Sequence, residues 1–209
     1  MPSYNSGPVS DIATVLFAEE EIRRRVEELG AGIARDYAGR SPVLVSVLKG
    51  AAVFLADLTR AIDLPLRVDF MSISSYGSAS EESGGVVRIL KDLDQDIGGQ
   101  DVIVVEDIID TGLTLSYLMA TLRSRHPASL EVCALLDKSV RRIAPVDIRY
   151  RGFDCPDRFV VGYGLDHEER YRNLRLILAV EDLPAFQADP DSLVTYLGGP
   201  AVPDPTSTS

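Results

Sequence analysis

The stretch Val102-Ile103-Val104-Val105-Glu106-Asp107-Ile108-Ile109-Asp110-Thr111-Gly112-Leu113-Thr114 concentrates the groups most able to do chemistry. An apolar run predicts a strand that leads into two adjacent carboxylates, a short Asp-Thr-Gly loop and the start of an amphipathic helix. Free backbone N–H groups at a helix start, two threonine hydroxyls and a glycine that lets the chain approach closely form a pocket suited to a phosphate dianion. Carboxylates just upstream would repel that phosphate unless they faced something else. Glu106 and Asp107 suit the hydroxyls of a vicinal diol or a hydrated Mg²⁺. Taken singly, Asp110-Thr111-Gly112 is equally a turn and helix cap, and Glu106-Asp107 equally a solvated strand end. Their combination favours a binding site. No G-x-x-x-x-G-K-[ST] sequence occurs, which excludes a nucleoside triphosphate P-loop.

The elements that must position these groups can be read from hydrophobic periodicity. The first eighteen residues show no clear period, and Glu19 to Tyr37 then places Ile22, Val26, Leu29 and Ile33 at helical spacing. Gly30 and Gly32 imitate part of a dinucleotide fingerprint, but no strand precedes them. Val43–Leu48 reads as a buried strand, followed by Lys49-Gly50 and a helical pattern through Ala51, Leu55, Leu58 and Ile62. Leu66–Ile73 and Val86–Leu90 read as strands either side of the polar stretch Ser74–Gly85, which is either a lid or a plain hairpin loop. Leu115, Leu118, Met119 and Leu122 mark a helix face that ends before Pro127, and Val132–Leu136 gives the next strand. Strand, helix and strand in this order imply a parallel sheet with its crevice at the carboxyl ends of the strands. Shorter strands are expected at Val146–Tyr150, Phe159–Val161 and Leu174–Val180.

Bulk composition narrows the function further. The chain has 209 residues, 45% hydrophobic and 25% charged, ordinary for one folded unit with a sizeable core. Its formal net charge of −11 argues against nonspecific nucleic-acid binding, which rests on many cations meeting phosphates. No apolar run approaches the ~20 residues of a membrane helix and the N-terminus carries no basic, apolar leader, so a cytoplasmic address is expected. The two cysteines, Cys133 and Cys155, read as buried or incidental thiols. Beyond Gly198 the Pro, Ser, Thr and Asp composition predicts disorder.

The segment Glu106-Asp107-Ile108-Ile109-Asp110-Thr111-Gly112 resembles the phosphoribosyl pyrophosphate-binding motif of type I phosphoribosyltransferases, and in particular that of the hypoxanthine-guanine phosphoribosyltransferases. The similarity runs from about Val43 to about Asp182. It implies an α/β fold with a central, mostly parallel sheet flanked by helices and a small hood subdomain over the base site. The implied domain is 19–182, with the N-terminal helix and residues 153–182 contributing to the hood, an extension at 1–18 and a tail at 198–209.

The resemblance also assigns roles. The 5′-phosphate falls to Asp110, Thr111, Gly112, Leu113 and Thr114, the ribose hydroxyls to Glu106 and Asp107, and the purine N7 proton to Asp110 as general base. Leu48-Lys49-Gly50 resembles the pyrophosphate loop, in which a cis peptide before the lysine aims backbone N–H groups at the leaving group. Ala51 stands where the family often has a second glycine, and Leu113 where some members have lysine. Ser75-Tyr76-Gly77 resembles the start of the mobile lid loop. Lys138 matches the donor to the exocyclic O6, which adenine lacks. Phe159 matches the ring that stacks on the purine, and backbone groups of Val160 and Asp166 its edge readers. Asp166 is also implied, with Glu106 and Asp107, in holding Mg²⁺, and Arg172 matches the arginine that reaches pyrophosphate. His167 and His126 receive no role.

The implied activity is transfer of the 5-phosphoribosyl group from phosphoribosyl pyrophosphate to hypoxanthine or guanine, in a homodimer or homotetramer. A xanthine-preferring relative, and a phosphoribosyl pyrophosphate-sensing nucleic-acid-binding regulator of the same fold, are the alternatives. The acidic charge and the intact set of catalytic positions weigh against the regulator.

Overall fold

The computed structural model describes residues 12–76 and 86–197, and the expectations for the extension before Ile12, for Gly77–Gly85 and for the tail at 198–209 lie outside them. The chain divides into two compact units, a larger one of residues 20–157 and a smaller one built from both ends of the chain, up to Glu19 and from Arg158 onward.

The larger unit holds a six-stranded sheet. Its strands are β2 (Val43–Leu48), β3 (Arg67–Tyr76), β4 (Val86–Lys91), β5 (Asp101–Ile109), β6 (Ser129–Asp137) and β7 (Tyr150–Asp154), in the spatial order β4-β3-β2-β5-β6-β7. All neighbours run parallel except β3 and β4, which pair antiparallel with Tyr76 opposite Val86. Helices α1 (Glu19–Asp36), α2 (Ala51–Ala61) and α3 (Leu113–Arg123) accompany the sheet, α2 packing on β2 and β5 and α3 on β6. Val43, Val45, Val102 and Val104 join Leu115, Leu118 and Leu122 of α3 in one buried cluster. Their strand neighbours Leu44, Ile103 and Val105 are buried as well. Burial of both faces explains why these strands read as continuous apolar runs rather than alternating ones. Each such side chain removed from water contributes about 1.5–3 kcal/mol.

The smaller unit is a three-stranded antiparallel sheet in the order β1 (Ala13–Phe17), β9 (Ile177–Val180), β8 (Phe159–Val161), backed by α4 (Leu183–Ala188). Asp182 caps α4 by accepting a hydrogen bond from Ala185 N at 2.9 Å, and Pro184 occupies the first turn, where its missing N–H costs nothing. Ala13, Val161, Leu178, Val180, Phe186 and Leu193 form its core.

Three expectations need correction. Ala13–Phe17 is a strand although no period announced one, because its partner β9 lies more than 150 residues away and only that pairing orders it. β1 joins the small sheet, and α1 from Glu20 onward is counted with the larger unit. Val146–Tyr150 is not a strand; pairing with β6 begins only at Tyr150. The preceding segment instead buttresses the loop after β5, with Ile143 N and Ala144 N both donating to Thr111 O. Of Leu174–Val180 only the last four residues are strand, because Leu174 N is drawn into a turn onto Tyr171 O.

Gly30 is a packing residue. A Cβ there would stand 2.4 Å from the carbonyl oxygen of Ala61, so α1 and α2 cross at a distance only glycine permits. Gly30→Ala should therefore destabilise the protein by about 1–3 kcal/mol through overpacking, despite the helix-propensity gain of about 1 kcal/mol. Urea unfolding of wild type and variant measures it.

Candidate active site

Three adjacent parallel strands, β2, β5 and β6, deliver the implied phosphate, ribose and base contacts of the larger unit at their carboxyl ends. Lys49-Gly50 follows β2, Asp110-Thr111-Gly112 follows β5, and Lys138 follows β6. β5 does not stop at Val105. It continues through Glu106 and Asp107 to Ile109 because β6 pairs with it all the way to Asp137. The acidic pair is thus held in a strand instead of a loop, and its two side chains are sent to different places. Glu106 lines a cavity of about 190 Å³ together with Asp110, Thr111, Gly112 and Thr114. The Asp107 carboxylate packs against Gly50, where a Cβ would come within 1.8 Å of its Oδ2, while its Oδ1 accepts from Ile108 N at 2.8 Å. The peptide bond between Leu48 and Lys49 is cis, as the resemblance implies.

The loop after β5 turns at Gly112, which has φ +79° and opens α3. A side chain there would also meet Ala144 O at 2.8 Å, so glycine is required twice over. Gly112 offers α3 no side-chain cap, and the nearest substitute is a long 3.5 Å bond from Leu113 N to Thr111 Oγ1. A helix start of this kind presents N–H donors and positive dipole to an anion. Leu113 is 53% exposed and carries no charge to help.

Lys138 is only 6% exposed, with Nζ 4.0 Å from Asp110 Oδ2. Beneath it Asp137, 2% exposed, is bound by Arg142 and by Arg151 Nε at 3.1 Å. A buried carboxylate is tolerable only with such partners, and this pairing anchors the end of β6 from which Lys138 projects. Arg141 Nε lies 3.4 Å from Asp110 Oδ1 and 3.7 Å from Asp157 Oδ1. Asp110 Oδ1 is buried without a hydrogen-bond partner among the described residues.

In the smaller unit Phe159 opens β8, an edge strand, and its ring is 36% exposed. Val160 is buried and pairs with Ala179. Asp166 accepts from Glu169 N at 2.9 Å and forms an ion pair with Arg172 at 2.8 Å. Arg172 also donates to Gly164 O and Glu169. Ser75 and Tyr76 end β3, and the rest of the segment expected to be a lid lies outside the described residues.

Residues 14–168 match the phosphoribosyl transferase domain family. The chain is 56% identical to the hypoxanthine-guanine phosphoribosyltransferase of Mycobacterium avium, over 80% of this chain and 85% of that protein. It is 51% identical to the enzyme of the same name from Bacillus subtilis, over 80% and 92%. The crystal structure of a hypoxanthine phosphoribosyltransferase from Staphylococcus aureus superposes with a TM-score of 0.78 at 47% identity, covering 82% of this chain and 92% of that one. The chain belongs to the hypoxanthine-guanine phosphoribosyltransferase family.

Membership of this family implies Mg²⁺. Among the described residues no three His, Cys, Asp or Glu side chains gather as a protein-only metal site. Mg²⁺ does not need one, because it keeps several waters and binds through one or two carboxylates plus substrate phosphates. Glu106 fits such a role: desolvation first, and the charge of Asp107 second, push its carboxyl well above the usual carboxylate range. A cation brought in with substrate would reverse both effects. The thiols offer nothing comparable, since burial pushes Cys133 up strongly and Cys155 to about 11.

Sequence reasoning missed the Asp137, Arg142 and Arg151 cluster and Arg141, because each gains meaning only when distant segments meet. The Asp137-Lys138 adjacency was the available signal. Glu106 yields a prediction in buffer free of divalent cations. Its folded-state pKa lies above the unfolded one, so the native state loses stability as pH rises from the unfolded value through the folded one. Glu106→Gln removes that loss. The variant should melt above wild type at pH 7 and converge with it near pH 4, as followed by calorimetric melting across pH.

Proposed function

We propose that this chain transfers the 5-phosphoribosyl group from phosphoribosyl pyrophosphate to hypoxanthine or guanine, giving IMP or GMP and pyrophosphate. The observation that carries the reading is the alignment of Lys49-Gly50, Glu106-Asp107, Asp110-Thr111-Gly112 and Lys138 at the ends of three neighbouring parallel strands. The 5′-phosphate is received by the α3 start, through Asp110, Thr111, Gly112, Leu113 and Thr114. Glu106 and Asp107 take the ribose hydroxyls, and the Lys49-Gly50 loop takes the pyrophosphate, as does Arg172 once it exchanges an internal acceptor for a phosphate oxygen. Lys138 donates to O6 of the base, Phe159 stacks on the ring, and backbone groups of Val160 and Asp166 read its edge.

The bond from C1′ to the pyrophosphate oxygen breaks as the bond from N9 to C1′ forms, and the base loses a proton. Asp110 accepts it at N7; its Oδ1, which forms no hydrogen bond among the described residues, supplies a lone pair for that bond. Lys138 and Arg141 beside Asp110 keep positive charge near the carboxylate before transfer. Glu106, Asp107 and Asp166 are the residues that would hold Mg²⁺, which would supply charge neutralisation on the pyrophosphate. Ser75 and Tyr76 open the segment that the resemblance implies as a lid, the rest of which lies outside the described residues; a lid there would exclude water that captures the ribosyl centre. We place the protein in the cytoplasm as a homodimer or homotetramer acting on small molecules, with no nucleic-acid or membrane partner; among the described residues no helix is long and apolar enough to cross a membrane.

Steady-state nucleotide formation, with hypoxanthine, guanine, xanthine and adenine offered separately to wild type and Asp110→Asn, tests this. Turnover of the first two should vanish with chelator, and the variant should lose about 10²–10⁴-fold in turnover, the usual contribution of a general base. Silence with all four bases, or an unimpaired variant, contradicts it.

A further inference from the structure

Beside Phe159 the smaller unit holds rings that the proposed chemistry leaves unused. His167 lies edge-on to Phe159, with ring centroids 5.7 Å apart and planes at 90°. It also meets Phe186 of α4, with centroids 4.8 Å apart, and Phe186 in turn meets Tyr171 at 5.9 Å. Phe186 is fully buried in the core of this unit, and it lies beyond residue 168, where the family match ends. The backbone that carries His167 is pinned by reciprocal hydrogen bonds, His167 N to Arg170 O at 3.2 Å and Arg170 N to His167 O at 2.9 Å. The two residues between them, Glu168 and Glu169, have φ of +50° and +65°, the arrangement of a tight turn that usually takes Asn-Gly. Two glutamates held in the left-handed region mark a turn whose shape the surroundings enforce.

Phe159 itself is poorly fixed by its strand. It opens a three-residue edge strand, pairs with the sheet on one side only, and leaves a third of its surface open. A half-exposed ring on an edge strand has rotamers to lose when it stacks on a ligand, and that loss weakens binding. A fixed ring edge against Phe159 removes part of this cost in advance.

From this geometry we infer that His167 is a positioning residue for the purine: braced by Phe186, it holds Phe159 in its stacking orientation. The inference rests on the reading of Phe159 as the base-stacking ring and adds a specific residue, and the C-terminal helix, to base recognition. His167 acts through Phe159 and forms no bond with the reacting atoms. Its effect therefore belongs to base and nucleotide affinity, and the handling of phosphoribosyl pyrophosphate is untouched.

The test compares wild type with His167→Ala, His167→Leu and His167→Phe, by steady-state kinetics and by calorimetric binding of GMP. The Ala and Leu variants should raise KM for hypoxanthine and guanine, and weaken GMP, about three- to tenfold, the factor expected from losing one aromatic edge contact. Leucine keeps the apolar bulk and guards against a fold defect. KM for phosphoribosyl pyrophosphate should not move, and His167→Phe, which restores a ring, should recover most of the loss. An unchanged base KM in His167→Leu, an equal rise for both substrates, or no recovery with phenylalanine overturns the inference. A wild type that binds GMP without turning over any base fails the proposed activity, and the GMP comparison still decides His167. A wild type that does not bind GMP overturns both.

Discussion

The Asp107 carboxylate rests directly on the Cα of Gly50, in the space a side chain would fill. That single crowding ties the end of β5 to the loop after β2, and the rest of the larger unit is arranged so that it can occur. Parallel pairing of β2 with β5 brings the two strand ends level, with Val45 opposite Val104 and Ser46 opposite Val105. Continued pairing of β5 with β6 carries the acidic residues past the apolar run while the backbone remains strand. Strand geometry then separates two carboxylates that are adjacent in sequence, one into the cavity and one against the neighbouring loop.

Everything beyond that point is support. Gly112 lets the chain reverse into α3 while Ala144 O passes 2.8 Å from where a Cβ would lie, and Thr111 O receives two N–H groups from the same passing segment. The loop is thereby fixed before any ligand arrives, which is what makes positioned dipoles effective in phosphoryl and glycosyl chemistry. Asp137, clasped by Arg142 and Arg151, secures the next strand end. Lys138 then projects from a rigid base in a nearly dry setting, where a hydrogen bond to a carbonyl oxygen discriminates more strongly than in water.

The parts of this arrangement that depend on local order were legible in the sequence. The buried strands announced themselves by unbroken apolar runs, α1 and α3 by their period, and the junction of β5 with α3 by an acidic pair, a glycine and hydroxyls after an apolar run. The parts that depend on meeting a distant segment were not. Ala13–Phe17 is a strand only because Ile177–Val180 lies beside it. Val146–Tyr150 has the composition of a strand, yet its ladder to β6 begins only at Tyr150, after Ile143 and Ala144 have bonded to Thr111 O. Gly30 looked like a fragment of a nucleotide motif and proves to be where two helices cross. His167 carried no signal at all, since the rings of Phe159 and Phe186 meet it only in the fold.

The apposition of Gly50 and Asp107 can be tested without turnover. Calorimetric titration of phosphoribosyl pyrophosphate with Mg²⁺ into wild type and Gly50→Ala isolates it, because the added methyl meets the movable end of an aspartate and displaces that carboxylate with the fold left standing. If the apposition holds Asp107 for ligand, the variant keeps its melting profile in the absence of ligand and loses at least about tenfold in affinity, roughly the 1.4 kcal/mol of one good charge-assisted hydrogen bond. Equal affinity in the two proteins would contradict it.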